Sequence, residues 1–273
     1  MNELQKKEFE ILLKFDEVCK KLGIKYFLVC GTALGAVKYG GFIPWDDDID
    51  VGLFRTDYEK FLREAQGLLP ENIFVQNYRT DVNYPTLYCK LRDSNTTYIE
   101  KTVKHLDMNH GIYIDVFPLD GYPKNKLLQK LLEIKKKIYK LLLASAFRGE
   151  YSTKAKVFFA VERFLGFHKR TAKIANKLDN LISQYDCNNS DLICNHGNWQ
   201  GKKEYAPKKQ YGNGTKAIFE NLEVLIPEMY DEYLSQKYGD WKSDLEDAQK
   251  KGHHFYCICD LEKSYKYYMT KKE

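Results

Sequence analysis

The sequence holds a tight cluster of carboxylates in the stretch WDDDIDVG. The cluster runs directly into a predicted strand, and alternate residues of a strand share one face. We therefore expect Asp46, Asp48 and Asp50 to point one way, while Ile49 and Val51 enter the core. Carboxylates on one edge repel one another unless a cation compensates them. Proteins hold Mg²⁺ with a few carboxylates, water and substrate phosphates, so the cluster predicts a Mg²⁺ site for phosphate chemistry.

Two other interpretations of this cluster exist. An acidic turn is usually a solvated surface feature. A calcium loop of the EF-hand kind needs Gly at its sixth position and Glu at its twelfth, but counting from Asp46 these positions hold Val51 and Asp57. The setting favours the Mg²⁺ site, because the Gly31-Thr32 turn comes about one helix before the acids. A turn that opens a helix can bind phosphate through its backbone N–H groups.

A further acid interrupts the apolar stretch GIYIDVF. Strand alternation puts its aliphatic side chains on one face and Asp115 on the other, beside Tyr113 and Phe117. An acid in an apolar strand is costly unless it is paired or liganded. Asp115 is therefore the predicted third carboxylate beside Asp48 and Asp50.

Composition limits the class of protein. The 273 residues fit one large domain or two small ones, and 44% hydrophobic residues are ample for a core. The seven cysteines have no regular framework spacing and no C-x-x-C pair, which predicts free thiols in a reducing compartment and disfavours structural zinc. The N-terminus, MNELQKKEFEILL, is charged, so no signal peptide is expected. No stretch has the apolar length of a membrane span, and we expect a cytoplasmic protein.

The hydrophobic periodicity predicts both helices and strands. Helices are expected at residues 2–22, 31–39, 56–69, 124–147, 154–166, 168–185 and 227–239. Strands are expected at 24–30, 48–54, 73–78, 86–92 and 111–117, with a short β element at 217–226. Thr56 and Glu59 form a capping-box pattern at the start of the third helix.

Positive charge is concentrated in the middle of the chain. Residues 124–177 hold fifteen lysines and arginines against three glutamates, while the rest of the chain holds 28 basic and 35 acidic residues. This region is either a solvated helical subdomain or a surface that meets an anionic membrane, since amphipathic helices with Lys and Arg on the polar face lie on membranes. Nucleic acid is not an expected partner, because base-reading motifs are absent and the rest of the chain is acidic.

Four stretches, in this order, closely resemble the LicD family: GTALGAVKYGGFIPWDDDIDVG, YCKLRDSNT, HGIYIDVFPLDG and YLSQKYGDW. The family contains phosphocholine-type transferases and is related to the fukutin group. The resemblance implies an α+β fold with a DNA-polymerase-β-like nucleotidyltransferase core, a mixed sheet flanked by helices, and a basic all-helical insertion. We therefore expect a catalytic core at 1–121, a basic helical subdomain at 122–204, and a C-terminal α/β segment at 205–273 that packs back on the core.

The family pattern also assigns roles to residues of this chain. Carried over position by position, it makes Asp48 and Asp50 the paired metal ligands and Gly31-Thr32 the phosphate turn, with Asp115 the acid of the third motif. Family members usually have Arg where this chain has Lys38, so the charge remains but the bidentate fork is lost. The predicted metal-binding and catalytic residues are Asp48, Asp50 and Asp115. The predicted substrate-binding residues are Gly31, Thr32, Lys38, Trp45, Lys90, Arg92, His110 and Tyr113.

The resemblance implies transfer of phosphocholine from CDP-choline to a sugar hydroxyl of a teichoic-acid-type or other cell-surface glycan precursor. One or two Mg²⁺ ions, with Mn²⁺ as a substitute, would orient the pyrophosphate, and Asp115 is the candidate for taking the hydroxyl proton. Trp45 and Tyr113 are the aromatic candidates for choline, which favours aromatic faces. The alternatives are another CDP-alcohol, such as CDP-ribitol or CDP-glycerol, and nucleotidyl transfer from an NTP to a small acceptor. A lipid-linked acceptor would place the protein at the inner face of the membrane.

Overall fold

The computed structural model describes residues 1–149, 153–164, 166, 170–198, 201–244, 246, 250, 252 and 255–270. The α-helices are α1 (Glu3–Leu22), α2 (Cys30–Tyr39), α3 (Arg55–Glu64), α4 (Lys126–Ala144), α5 (Thr153–Phe164), α6 (Thr171–Ile182), α7 (Lys208–Tyr211), α8 (Tyr230–Tyr238) and α9 (Tyr265–Met269). The β-strands are β1 (Phe27–Leu28), β2 (Asp50–Phe54), β3 (Ile73–Gln76), β4 (Cys89–Asp93), β5 (Thr97–Glu100), β6 (Ile112–Gly121), β7 (Leu192–Cys194), β8 (Tyr205–Pro207), β9 (Thr215–Phe219), β10 (Leu222–Ile226) and β11 (Tyr256–Asp260).

A seven-stranded mixed sheet forms the centre of the molecule. Five strands follow the order β1-β2-β6-β4-β3, and β7 joins β6 to β8. β2 and β6 are parallel, whereas the other pairs in the sheet are antiparallel. This mixed sheet with flanking helices confirms the expected α+β class.

Helix α1 packs beneath this sheet because its apolar residues recur at helical spacing. Phe9, Leu12 and Phe15 are buried in the main core, where α1 contacts β4 and β6. Asn2 begins the helix in a capping box with Gln5. Gly23 ends it with a φ of 63°, which glycine adopts without a steric penalty.

Two predicted boundaries are wrong at the start of the chain. The strand expected at 24–30 is reduced to β1, because Cys30 adopts a φ of 52° and already begins α2. Helix α3 begins at Arg55 directly after β2, and its N-cap, Phe54, makes no side-chain capping bond. The expected capping box at Thr56 therefore does not form the start of this helix.

Strand β5 was not predicted, and it pairs with β11 near the far end of the chain.

The helical middle has its own apolar cluster. Leu132 and Leu143 of α4 pack there with Ile174 and Leu178 of α6. A buried ion-pair network connects α6 to the sheet: Arg55 donates two hydrogen bonds to Asp120, at 2.6 and 2.8 Å, and one to Asp179 at 3.0 Å. The helices expected at 154–166 and 168–185 are present as α5 and α6, and parts of both ranges lie outside the described residues.

The C-terminal third returns to the main core. Phe219, Tyr233 and Leu234 are buried in the same cluster as the residues of α1 and the central strands. The β element expected at 217–226 is the hairpin β9–β10, and the helix expected at 227–239 begins later, as α8. All seven cysteines are free thiols, as expected. In the described part of the chain, every helix is too short or too polar to cross a bilayer.

Candidate functional site

A cavity of about 500 Å³ lies between α2, the acidic segment and the segment that follows α8. This volume is within the range of small-molecule sites. Its walls combine carboxylates with aromatic rings. The lining residues are Cys30, Gly31, Leu34, Lys38, Tyr39, Ile43, Trp45, Asp46, Asp48, Asp50, Tyr88, Asp115, Phe117, Gly197, Asn198, Tyr238, Asp240, Trp241 and Ser243.

The carboxylates reach this cavity through the segment that leads into β2 and through strand pairing, since β2 itself begins only at Asp50 and not at residue 48 as expected. Asp46, Asp48 and Asp50 line it, while Ile49 and Val51 are fully buried in the core. In the parallel pair of β2 and β6, Asp50 lies directly beside Asp115. The four acids that line the cavity, Asp46, Asp48, Asp50 and Asp115, are called the acid edge below. The acid edge brings together the three carboxylates that the sequence predicted to be neighbours.

Burial and repulsion both act on the acid edge. Burial raises the pKa of Asp50 well above its usual value, and the neighbouring charges of Asp48 and Asp115 raise it further. Glu8 of α1 is also buried nearby, and burial followed by the charge of Asp48 raises its pKa well above the usual range. The protein therefore places several carboxylates close together in a buried region, where the loss of solvation already disfavours their ionised forms. Such an arrangement favours binding of a cation.

Two buried lysines compensate part of this charge. Lys90 of β4 forms an ion pair with Asp115 at 3.0 Å, and both side chains are buried. The same ammonium group lies 3.1 Å from the ring centroid of Tyr113. Lys237 of α8 pairs with Glu204 at 2.8 Å, and its charge acts to lower the pKa of Asp50. Neither lysine lines the cavity.

Helix α2 positions the backbone of the acid edge. The hydroxyl of Thr32 accepts a hydrogen bond from the backbone N–H of Asp50 at 2.8 Å. The N–H of Cys30 donates to the hydroxyl of Tyr233 at 3.2 Å, which fixes the start of the helix against α8. Gly31 lines the cavity, and a Cβ at this position would lie 2.9 Å from a carboxylate oxygen of Asp46. Thr32 is buried below Gly31, so it supports the site from behind.

The carboxylate oxygens of the acid edge fit a divalent metal ion that takes its remaining ligands from water and substrate. Carboxylate oxygens are the ligands that Mg²⁺ and Mn²⁺ prefer, and the acid edge supplies them. Within the described residues, no three His, Cys, Asp or Glu side chains form a complete metal site by themselves. Mg²⁺ in phosphate-transfer sites is typically held by one or two carboxylates and completed by water and substrate phosphates. Asp48 and Asp50 suit this role, because the Asp115 carboxylate is already paired with Lys90.

Aromatic side chains form much of the remaining wall. Tyr39 and Trp45 meet edge to face, with ring centroids 6.1 Å apart. Tyr88 and Phe117 also line the cavity and pack against each other, with ring centroids 4.4 Å apart. Tyr238 and Trp241 complete the set. These six rings can stack on a nucleotide base or enclose a quaternary ammonium group.

The structure separates the predicted substrate-binding residues into two groups. Gly31, Lys38 and Trp45 line the cavity, and Thr32 and Lys90 lie directly behind it. The ammonium group of Lys38 donates to the backbone oxygens of Lys242 and Ser243 at 3.0 and 2.8 Å, and it pairs with Asp244. Lys38 therefore ties α2 to the segment after α8.

Arg92, His110 and Tyr113 are buried outside the lining of the cavity. The guanidinium group of Arg92 donates to Gln76 and to the backbone oxygen of Gly111. The ring of His110 contacts the backbone oxygen of Leu106 at 3.0 Å. These contacts give Arg92 and His110 structural roles, whereas the ring of Tyr113 lies against Lys90, the partner of Asp115. Substrate binding by these three residues stays a prediction.

Several lining residues were not predicted to bind substrate. Tyr88 and Phe117 stand two residues from Lys90 and Asp115, so strand alternation could have indicated them. Tyr238, Asp240 and Trp241 belong to the YLSQKYGDW stretch. This stretch is part of the family resemblance, but none of its residues was predicted to bind substrate. Asn198 comes from the turn-rich segment after β7, where the sequence pattern carries no such signal.

Comparison with known proteins places these residues in a wider group. Residues 23–141 match the family model described as the nucleotidyltransferase domain of LicD/FKTN/FKRP. The lipopolysaccharide cholinephosphotransferase LicD of Haemophilus influenzae is 28% identical over 254 residues, which cover 89% of this chain and 92% of that protein. The human ribitol 5-phosphate transferase FKRP is 28% identical over 117 residues, covering 41% of this chain and 20% of that protein. An uncharacterized Rickettsia prowazekii protein, RP689, is 34% identical over 43% of this chain and 40% of its own length.

Proposed function

Because this chain belongs to the LicD family, we propose that it transfers phosphocholine from CDP-choline to a sugar hydroxyl of a cell-surface glycan precursor. The observation that carries the proposal is that the acid edge and six aromatic side chains line one and the same cavity. A CDP-alcohol needs both features, since its pyrophosphate requires cations and its base or choline group favours aromatic faces. The relative that is similar over most of its length is named as a cholinephosphotransferase.

The transfer forms one bond and breaks one. The acceptor hydroxyl oxygen attacks the phosphorus that carries choline, the bond from that phosphorus to CMP breaks, and CMP leaves with the electron pair. Asp48 and Asp50 would hold Mg²⁺ or Mn²⁺, which when bound neutralises charge on the pyrophosphate. Gly31, in the first turn of α2, offers its backbone to a phosphate oxygen. Asp115 is our candidate for accepting the hydroxyl proton, and Lys90 balances its charge.

The aromatic walls favour choline over a polyol as the transferred alcohol. A trimethylammonium group gains up to about 2 kcal/mol from a desolvated aromatic face, whereas ribitol and glycerol require hydrogen-bonding partners. Tyr39, Trp45 and Trp241 are placed to offer such faces. Polyol transfer remains the alternative, because the similar FKRP is named as a ribitol 5-phosphate transferase.

Product analysis tests the proposal directly. Purified protein is incubated with Mg²⁺, a crude glycolipid acceptor and, separately, CDP-choline, CDP-ribitol, CDP-glycerol or CTP. We expect CMP and a phosphocholine-bearing product from CDP-choline. CMP from a CDP-polyol alone would change the alcohol and keep the reaction. Pyrophosphate from CTP alone would assign nucleotidyl transfer instead, an activity that the family description of a nucleotidyltransferase domain also suggests.

A Trp45→Leu variant tests the role of the aromatic wall. If Trp45 contacts choline, its loss raises the KM for CDP-choline by roughly tenfold or more, while the KM for CDP-ribitol changes little. Tyr267→Leu is the matched control, since Tyr267 is a half-exposed aromatic residue outside the cavity. Equal losses for both donors would show that Trp45 serves the cytosine base or packing and does not select choline.

A further inference from the structure

Helix α4 exposes a continuous row of large aliphatic side chains. The row follows a spacing of four and three residues along one helix face, with exposed fractions between 45% and 65%. It consists of Leu127, Leu131, Ile134, Ile138 and Leu141. The opposite face of α4 is already used, because Leu132 and Leu143 pack against α6. The exposed row is therefore not used to pack α4 against the rest of the protein. Soluble proteins rarely expose a contiguous apolar patch of this kind unless it binds a partner.

Lysines border this row on both sides. Lys130 and Lys137 lie along one edge and Lys135 along the other, and all three are exposed. The only acid in α4 is Glu133, whose carboxylate binds Lys136 at 2.7 Å and the hydroxyl of Tyr205 at 2.5 Å on the inner face. The exposed face of α4 thus combines aliphatic side chains with positive charge alone. We call it the α4 outer face.

Charge decides between the partners that could cover the α4 outer face. A second copy of the same helix would place lysines opposite lysines at the positions that flank a helix–helix seam, which is repulsive. A nucleic acid would satisfy the lysines but offer no apolar surface to the aliphatic row. An anionic lipid bilayer satisfies both, because the aliphatic side chains enter the acyl boundary while the lysine stems extend to the headgroups.

We propose that the α4 outer face binds the surface of an anionic phospholipid membrane, with α4 lying in the plane of the interface. Helix α5 follows α4 and also exposes apolar side chains, among them Val157, Val161 and Phe164. Binding requires no spanning segment, since interfacial helices insert only one face. Each lysine close to an anionic surface strengthens binding by about fivefold. The proposal does not depend on the identity of the donor.

Vesicle co-sedimentation tests this proposal. We expect the protein to sediment with vesicles of mixed phosphatidylcholine and phosphatidylglycerol, and not with phosphatidylcholine alone. Ile134→Gln/Ile138→Gln removes the centre of the aliphatic row, and Lys130→Gln/Lys135→Gln/Lys137→Gln removes the bordering charge. Each set should weaken binding to the anionic vesicles by roughly tenfold or more. The residues are exposed, so both variants should keep the parental circular dichroism spectrum and melting temperature.

Matched controls separate a defined face from general stickiness or charge. Val82→Gln/Ile218→Gln removes exposed aliphatic residues elsewhere, and Lys21→Gln/Lys209→Gln/Lys263→Gln removes the same number of exposed lysines. Both controls should sediment like the parental protein. Failure of the parental protein to bind anionic vesicles overturns the proposal, as does full binding by the Ile134→Gln/Ile138→Gln variant. A dimer in solution that the same variant dissociates, without vesicle binding, would reassign the face to self-association.

Discussion

Asp50 is the buried first residue of β2 and lies close to the carboxylates of Asp48 and Asp115, so its ionised form is costly in the absence of a bound cation. Replacing it with Asn removes that repulsion and also removes a metal-binding oxygen. We expect Asp48→Asn and Asp50→Asn each to lower kcat/KM for donor turnover by about a hundredfold or more. The melting temperature of Asp50→Asn should not fall, because burial of a carboxylate among like charges does not stabilise the fold.

Asp47→Asn is the control for this experiment, because Asp47 belongs to the same cluster but does not line the cavity. It should keep near-parental turnover of CDP-choline, measured as CMP release at saturating Mg²⁺. Parental activity in Asp50→Asn would contradict the assignment of the metal ligands. Equal loss in all three variants would indicate that the net charge of the cluster matters, and not the particular oxygens.

His196 makes stability depend on pH. It is fully buried near Lys136 and Lys140, and burial followed by these charges lowers its pKa well below 6.5. As the pH falls through 6.5, the unfolded chain takes up a proton at this residue while the folded chain does not. The free energy of unfolding should therefore fall by up to about 1.4 kcal/mol per pH unit below pH 6.5. Urea unfolding at several pH values measures this slope.

The variant His196→Gln should flatten that slope between pH 6.5 and 5, relative to its own stability at pH 8. An unchanged slope would show that other groups account for the acid sensitivity. The ring of His196 contacts the thiol of Cys194 at 3.4 Å, so a constant loss of stability at all pH values is expected as well. Only the change of slope tests the titration.

Residue types alone could not predict which cationic side chains line the cavity. Lys90 and Arg92 have the charge of phosphate-binding residues, yet both lie on β4, a central strand between β6 and β3, and their side chains are buried. Burial converts Arg92 into a core hydrogen-bond donor and Lys90 into the partner of Asp115. Asp50 and Asp115 were predicted more reliably, because strand alternation fixes the direction of a side chain once the strand is known.

At the scale of elements, the contact between α2 and the segment before β2 determines where the acid edge lies. A Cβ on Gly35 would stand 2.5 Å from the backbone oxygen of Gly41 and 3.2 Å from the backbone nitrogen of Ile43. Gly35→Ala would therefore push this segment away from α2. We expect a loss of about 1–3 kcal/mol in the free energy of unfolding and a fall in kcat/KM of roughly tenfold or more, since small displacements of a site are costly.

Gly67→Ala is the matched substitution, because no atom lies within 4 Å of a Cβ at that position. It should leave donor turnover unchanged, measured in the same CMP-release assay. Parental stability and activity in Gly35→Ala would contradict the close packing of α2 against this segment. A loss of stability without a loss of activity would show that the segment recovers its position when substrate binds.

The apolar periodicity of neighbouring residues was enough to predict the elements that can be recognised without knowing their partners in the fold. Helices α1 and α4 have clear apolar periodicity, and their bounds lie within a few residues of the expected ones. Strand β5 pairs with β11, so its stability comes from a partner that the local sequence does not reveal. The segment after α8 likewise reaches the cavity through Lys38 and its backbone partners, which no local pattern encodes. The division into three domains remains a prediction.

At the scale of the whole molecule, the acid edge and the α4 outer face are separate surfaces of opposite charge. The acid edge faces the cavity, whereas the α4 outer face carries three exposed lysines and the aliphatic row. If an acceptor is held in a membrane, binding of α4 raises its local concentration at the enzyme. Ile134→Gln/Ile138→Gln should therefore lower the rate with a vesicle-held glycolipid acceptor by roughly tenfold, and leave the rate with a soluble glycan fragment unchanged.

CMP release with the two acceptors, measured in parallel, tests this expectation. Val82→Gln/Ile218→Gln should behave like the parental protein with both. Equal loss with the soluble and the vesicle-held acceptor would mean that the α4 substitutions damage the site itself. Equal rates of the parental and variant proteins on vesicles would contradict a role of the α4 outer face in acceptor capture.

Helix α4 contacts a residue of the cavity wall with the side that does not face solvent. Lys140 donates to the backbone oxygen of Asn198 at 3.1 Å, and Asn198 lines the cavity together with Gly197. The same helix thus carries the proposed lipid-binding face and contacts the wall of the proposed donor site. Coupling between two ligands is reciprocal, so any factor by which bound CDP-choline changes the affinity for vesicles must equal the factor by which vesicles change the affinity for CDP-choline.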